Sequence, residues 1–212
     1  MTVLGELPVE LGDLEGAWHR EGRSLSDSPT AEVADVVWLQ VGRHFCDLRT
    51  PHPDTDAAAV VLDMPQAFSG TVEVDAGVIW FHHDLDSLSR DPAHPDTGTV
   101  HRKERVMFER GPGFEERWIL TSRPGDRIGH AELRREDSAL VARLLRVGPL
   151  ALAVWGGTAP GGAQYSAVRH WDTERSLGSI DPTMQLDRAV RGMGNGTPLP
   201  AGWVIVDDHG RS

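Results

Sequence analysis

The chain has 212 residues, a net charge of −11 from 21 Lys and Arg against 32 Asp and Glu, and a single cysteine. Seven tryptophans among many Val, Leu and Ile exclude a disordered chain, because they bury enough surface to offset chain entropy. Cys46 alone excludes an internal disulfide framework and makes a reducing, cytoplasmic compartment the expectation. No apolar run approaches the ~18 residues of a membrane span, the opening MTVLGELPVELGDLEG is acidic where a signal peptide is basic, and the acidic balance argues against nucleic acid. The expected partner is therefore a small molecule, with no membrane, no nucleic acid and a homodimer left open.

In chain order, short runs rich in Val, Trp, Phe and Ile predict strands at residues 17–21, 33–41, 43–49, 67–75, 78–83, 99–109, 114–122, 128–135, 139–147, 150–155, 164–171 and 202–206. Between them Gly42, Ala76-Gly77, Gly111-Pro112-Gly113, Pro124-Gly125-Asp126, Gly148-Pro149 and Gly156-Gly157 supply tight reversals. Residues 139–147 carry an Asp137-Ser138 cap signal for a helix, but Leu140, Ala142 and Leu144 alternate with Val141 and Arg143, and strand is the reading adopted. One helix is expected at Asp181–Val190, with Asp181 at the cap and Pro182 in the first turn. The sum is an all-β, antiparallel barrel. Two related halves or barrels, 1–90 and 91–212, would meet in the turn-rich stretch Ser87–Gly98.

Several segments taken together carry a resemblance: Trp18-His19-Arg20; Val37-Trp38-Leu39-Gln40 running into Phe45-Cys46-Asp47-Leu48-Arg49; Phe68-Ser69-Gly70; Trp80-Phe81-His82-His83-Asp84-Leu85-Asp86; and Glu109-Arg110-Gly111 with Glu115-Glu116-Arg117-Trp118. Over residues 15–175 this order resembles the lipocalin-like double β-barrel family that includes the yeast casein-kinase-interacting protein and uncharacterised bacterial and fungal relatives. The resemblance implies antiparallel calycin-type barrels with a ligand cavity. It supplies no catalytic residue and no settled reaction.

Strand periodicity places the candidate site residues. Asp47 and Arg49 share a face with Phe45, so a barrel interior would pair them, either as a structural ion pair or with Arg49 gripping a ligand carboxylate or carbonyl. In the next candidate stretch Trp80, His82 and Asp84 alternate with Phe81 and His83, so one histidine faces inward in either register. An inward His82 oriented by Asp84 would suit proton transfer near neutral pH, and His170 with Asp172 forms a second such pair. Trp38, Gln40, Trp80 and Trp118 complete the expected ligand-binding set; the tryptophans are most simply core, and as cavity walls they would suit an aromatic ligand. The carboxylates Glu104, Glu109, Glu115 and Glu116, interleaved with arginines, read as a solvated cross-strand face. Cys46 reads as a buried inert thiol, and no spacing among the ten histidines is a metal signature, so neither metal nor cofactor is expected.

These readings favour a cytoplasmic barrel that binds a small, mostly apolar molecule. Two alternatives stay open. One is a cofactor-independent lyase, isomerase, hydratase or cyclase using His82 or His170 for proton transfer and Arg49 for oxyanion charge. The other is a protein-interaction module without a ligand.

Overall fold

The computed structural model describes residues 9–25, 28–30, 34–51, 66–88, 93–122, 128–135, 141–156, 164–169, 175–179 and 203–211. Nine strands form the first sheet: β1 (Gly16–Leu25), β2 (Ser28–Thr30), β3 (Ala34–Val41), β4 (His44–Pro51), β5 (Gln66–Asp75), β6 (Val78–Asp86), β7 (Asp96–Lys103), β8 (Val106–Gly111) and β9 (Phe114–Ser122). Each pairs antiparallel with its neighbour, and β1 also pairs with β9, so eight of them close into a barrel while β2 lies outside against the end of β1. Closure removes the free edges that an open sheet would leave.

A second, six-stranded sheet follows: β10 (Ile128–Arg135), β11 (Val141–Val147), β12 (Leu150–Gly156), β13 (Gln164–Arg169), β14 (Arg175–Ser179) and β15 (Trp203–Arg211), in the order β14-β13-β12-β11-β10-β15. It does not close among the described residues, so of the expected forms, one barrel or two related halves or barrels, the molecule shows one closed barrel with a second, open sheet. Because β7, β8 and β9 belong to the first barrel, that barrel runs through Ser122 and past the division at residue 90. Residues 139–147 do form a strand, from Val141. The expected helix at 181–190 lies outside the described residues.

The sequence pattern explains which strands meet the second sheet. β9 alternates buried and open positions, as a strand with one buried face must. β3, β11 and β12 are apolar almost continuously and buried on both faces. From the barrel's outer surface Ala17, Val37, Leu39, Cys46, Leu48 and Leu85 pack against Ile128, Leu145, Val147, Leu152 and Val154 of the second sheet. Asp84 of β6, Glu132 of β10 and Arg143 of β11 clamp the same joint, with Arg143 donating to Asp84 at 2.7 Å and to Glu132 at 3.1 Å.

The inward faces build a separate core from Trp18, Trp38, Phe45, Phe68, Ile79, Met107, Trp118 and Leu120. One end of the barrel is sealed by a 3-10 turn at Leu11–Leu14. Asp13 accepts a hydrogen bond from the Glu10 backbone N–H at 3.0 Å, Leu14 is fully buried, and the Trp18 indole N–H donates to the Leu14 carbonyl at 2.7 Å. The β5–β6 reversal uses positive φ at both central residues, Ala76 at 49° and Gly77 at 79°, the handedness that matches strand twist in a two-residue hairpin.

Candidate binding cavity

Away from the 3-10 turn, the barrel core opens into a cavity of about 340 Å³. Its walls are aromatic: Trp38, Trp118, Phe45, Phe68, Phe81 and Phe114. Trp38 stands at their centre, edge-on to Phe81 and Trp118 with ring centroids 5.4 and 5.6 Å apart and stacked on Trp18 at 6.2 Å. Gln40, two residues along β3, accepts from the Trp38 indole N–H at 3.0 Å and donates onward to the Gly42 carbonyl at 2.8 Å. Gln40 thus fixes the orientation of the ring and is itself absent from the cavity wall.

Ionisable groups enter from six strands, β1, β4, β6, β7, β8 and β9. On β4, Arg49 donates to both oxygens of Asp47, at 3.0 and 3.4 Å, and its guanidinium lies 5.0 Å from the Phe68 ring centroid. Burial works against the Arg49 charge, but Asp47 and then Glu116 outweigh it and hold the guanidinium protonated. On β1 and β9, buried Arg20 donates to Glu116 at 2.7 Å, and Arg23 approaches the same carboxylate at 3.4 Å while covering Phe114. His83 of β6 lies 3.3 Å from Asp96 and 3.6 Å from Asp86.

Glu109 of β8 differs from all of these. It is 7% exposed and lines the cavity, yet its side chain makes no hydrogen bond or ion pair among the described residues. Burial, followed by the neighbouring Glu116 carboxylate, pushes its pKa up from 4.5 to about 8. Gly98 makes the room, since a Cβ there would come within 3.3 Å of Glu109 Cγ and 2.9 Å of the Arg110 carbonyl.

Of the residues singled out by sequence, Arg49, Asp47, Trp38 and Trp118 line this one cavity. Trp80, His82 and Asp84 do not. His82 is partly exposed, 3.7 Å from Glu73, and Asp84 is bound to Arg143 at the joint between the sheets. The inward histidine of the pair is His83. A bulge governs the stretch: Ser69 pairs with Leu85 and Gly70 with His83, leaving Asp84 without an opposite residue. Beyond it the alternation changes phase, so Leu85 faces the second sheet and Asp86 lies buried near His83. Gly70 permits this, since a Cβ there would fall 1.7 Å from the His82 carbonyl oxygen. His170 and Asp172 lie outside the described residues.

The carboxylates on β8 and β9 also depart from expectation. Glu109 and Glu116 are buried in the barrel, not set on a solvated face; the legible signal was their spacing of two from the inward Met107 and Trp118. Cys46 is fully buried facing the second sheet, its thiol 3.4 Å from Ser69 Oγ, and burial pushes its pKa up to about 12. It is no nucleophile in this state.

No protein-family model matches this chain, and no curated protein matches it. Among solved structures, the uncharacterized protein YLR301w from Saccharomyces cerevisiae is similar in fold, with a TM-score of 0.66 over 92% of this chain and 99% of its own, at 15% sequence identity. At that identity the likeness concerns the fold alone.

Proposed function

We propose that this protein binds a small molecule with an aromatic or apolar body in the open end of its barrel, as a lipocalin-like binding protein of the cytoplasm. The observation that carries this reading is the division of the barrel interior. One end is packed solid, while the other leaves about 340 Å³ between six aromatic rings and a set of fixed charges. Eight-stranded barrels are of a size to hold one such ligand, and apolar walls with a few placed polar groups are what small-molecule sites have in common. The lone Cys46 supports a reducing compartment.

The competing interaction module calls for an exposed apolar patch, and among the described residues Leu25 is the large hydrophobic that stands exposed. The proton-transfer reading built on His82 and Asp84 draws no support from a pair placed outside the cavity. Native mass spectrometry of protein purified from its own cells tests the proposal. A one-to-one adduct of a few hundred daltons is expected. An adduct-free protein whose tryptophan fluorescence is unmoved by millimolar aromatic compounds would defeat it.

A further inference from the structure

We propose that the cavity selects an organic base: an amine or amidine carried on an aromatic body, with its cationic group held by Glu109 and its rings by Trp38 and Trp118. The inference rests on the ligand-binding reading above and names the chemistry of the ligand's polar end.

Three observations carry it. The positive groups on the wall are already engaged: Arg49 is held by both oxygens of Asp47, and Arg23 by Glu116, which also binds Arg20. An anionic ligand would therefore have to loosen one of these partly buried pairs and leave a mostly buried carboxylate, Asp47 or Glu116, less well paired, which is costly. The group left over is a carboxyl, Glu109, more than nine-tenths buried and without a side-chain partner among the described residues. The surrounding surface is aromatic on several sides, and ring faces attract cations, most strongly where water is excluded.

The groups facing Glu109 set the proton bookkeeping. Glu116 stands directly across from it on β9, Asp47 and Arg49 face it from β4, and Asp96 begins β7. His83 on β6 and Arg23 on β1 share the same wall. Arg49 favours the Glu109 carboxylate but is shared with Asp47, and burial together with Glu116, Asp47 and Asp96 outweighs it, so Glu109 holds its proton to about pH 8. A cationic ligand supplies an unshared counter-charge. Binding then proceeds as Glu109–COOH plus R–NH₃⁺ giving Glu109–COO⁻ with bound R–NH₃⁺, and one proton passes to solvent.

Three indoles of similar size serve as probes: tryptamine, 3-ethylindole and indole-3-acetate, titrated by calorimetry into the whole protein. Tryptamine is expected to bind at least about tenfold more tightly than the other two at pH 8. Its affinity should rise by about tenfold per pH unit from pH 6 to pH 7.5 and level off above pH 8, as loss of one proton requires. At pH 7, calorimetry in phosphate and in Tris should report about one proton released per tryptamine bound, a measurement on the unaltered protein. Glu109→Gln should erase both the pH slope and the proton release.

If 3-ethylindole or indole-3-acetate binds as tightly as tryptamine, or if tryptamine binds without releasing a proton, the organic-base inference is overturned and the cavity reading stands. Should none of the three bind at 5 mM, both are overturned.

Discussion

The two ends of one barrel interior follow opposite physical rules. Near the 3-10 turn, Leu14, Trp18, Ile79, Met107 and Leu120 fill the space, and the polar atom of Trp18 finds a backbone carbonyl. At the far end the same strands carry Asp47, Arg49, Glu109 and Glu116 inward, and these charges keep the walls apart around a cavity. A given strand serves both ends: β9 offers Leu120 to the packed end and Glu116 to the open one. What separates them is a few positions of period-two sequence. Apolar packing is concentrated in one end and paired charge in the other.

Substitutions at the packed end should have the largest effect. Trp18→Ala leaves a void next to the 3-10 turn and is expected to cost about 3–5 kcal/mol in urea denaturation. Next comes the charged end. Arg20→Ala leaves Glu116 buried with only the longer Arg23 contact, and a loss of about 3 kcal/mol is expected. Arg20→Met with Glu116→Leu removes both charges together and should recover most of that loss. If single and double variants lose stability equally, packing around Arg20 matters more than its charge.

Glu109 gives an effect that depends on pH. Its folded pKa of about 8 lies above its ordinary 4.5, so the folded protein holds a proton that the unfolded chain gives up between those values. Stability contributed by this group is full below about pH 4.5, falls as pH rises through the window, by at most ~1.4 kcal/mol per pH unit, and stays low above about pH 8. Glu109→Gln should flatten that fall, making the variant the more stable protein at pH 8.5 and not at pH 4. Thermal melts at the two pH values decide the matter.

The smallest effect is expected at His82. Its side chain is 38% exposed on the outer surface, so His82→Ala should change stability by less than about 0.5 kcal/mol and leave ligand affinity unaltered. A loss of binding in that variant would mean that the outer face of β6 contributes to the site.

Much of the barrel was legible because its cause is local. Apolar alternation and turn chemistry mark β3 to β6 and β9, and the hairpin at Ala76-Gly77 follows directly from its two turn residues; the stretch read as one strand, 99–109, is instead β7 and β8, which reverse at Glu104-Arg105, where Glu104 has a φ of 56° and no glycine or proline marks the turn. Arg49 and Asp47 were legible for the same reason, since two residues apart on a strand means one face. That the strands form a barrel was legible, but which strands close it was not, because the pairing of β1 with β9 joins residues about a hundred positions apart and depends on how all eight strands tilt. His82 was favoured over His83 because Asp84, two positions on, offered it an orienting carboxylate; alternation alone does not say which row faces inward, and the inward row is Ile79, Phe81 and His83. Glu109 and Glu116 looked like surface residues because sequence gives no sign that Arg20, far away on β1, turns inward to meet one of them. The apolar continuity of β3 did hint at a strand covered on both sides, though not at what covers the second side.

That covering has a consequence for the barrel as a unit. Its hydrogen bonding is complete in itself, which suggests a self-sufficient module that could be cut free after Ser122. Yet Val37, Leu39, Val41, Cys46, Leu48 and Leu85 on its outer surface are at most 8% exposed beside the second sheet. Severed from the second sheet, they would form one continuous greasy belt, and the sole thiol of the chain would sit within it. A barrel liberated in this way would be ring-closed but insoluble, prone to join its copies through the belt and to cross-link through Cys46. The second sheet thus keeps the apolar barrel wall from water, and the barrel cut after Ser122 is expected to aggregate where the whole chain does not.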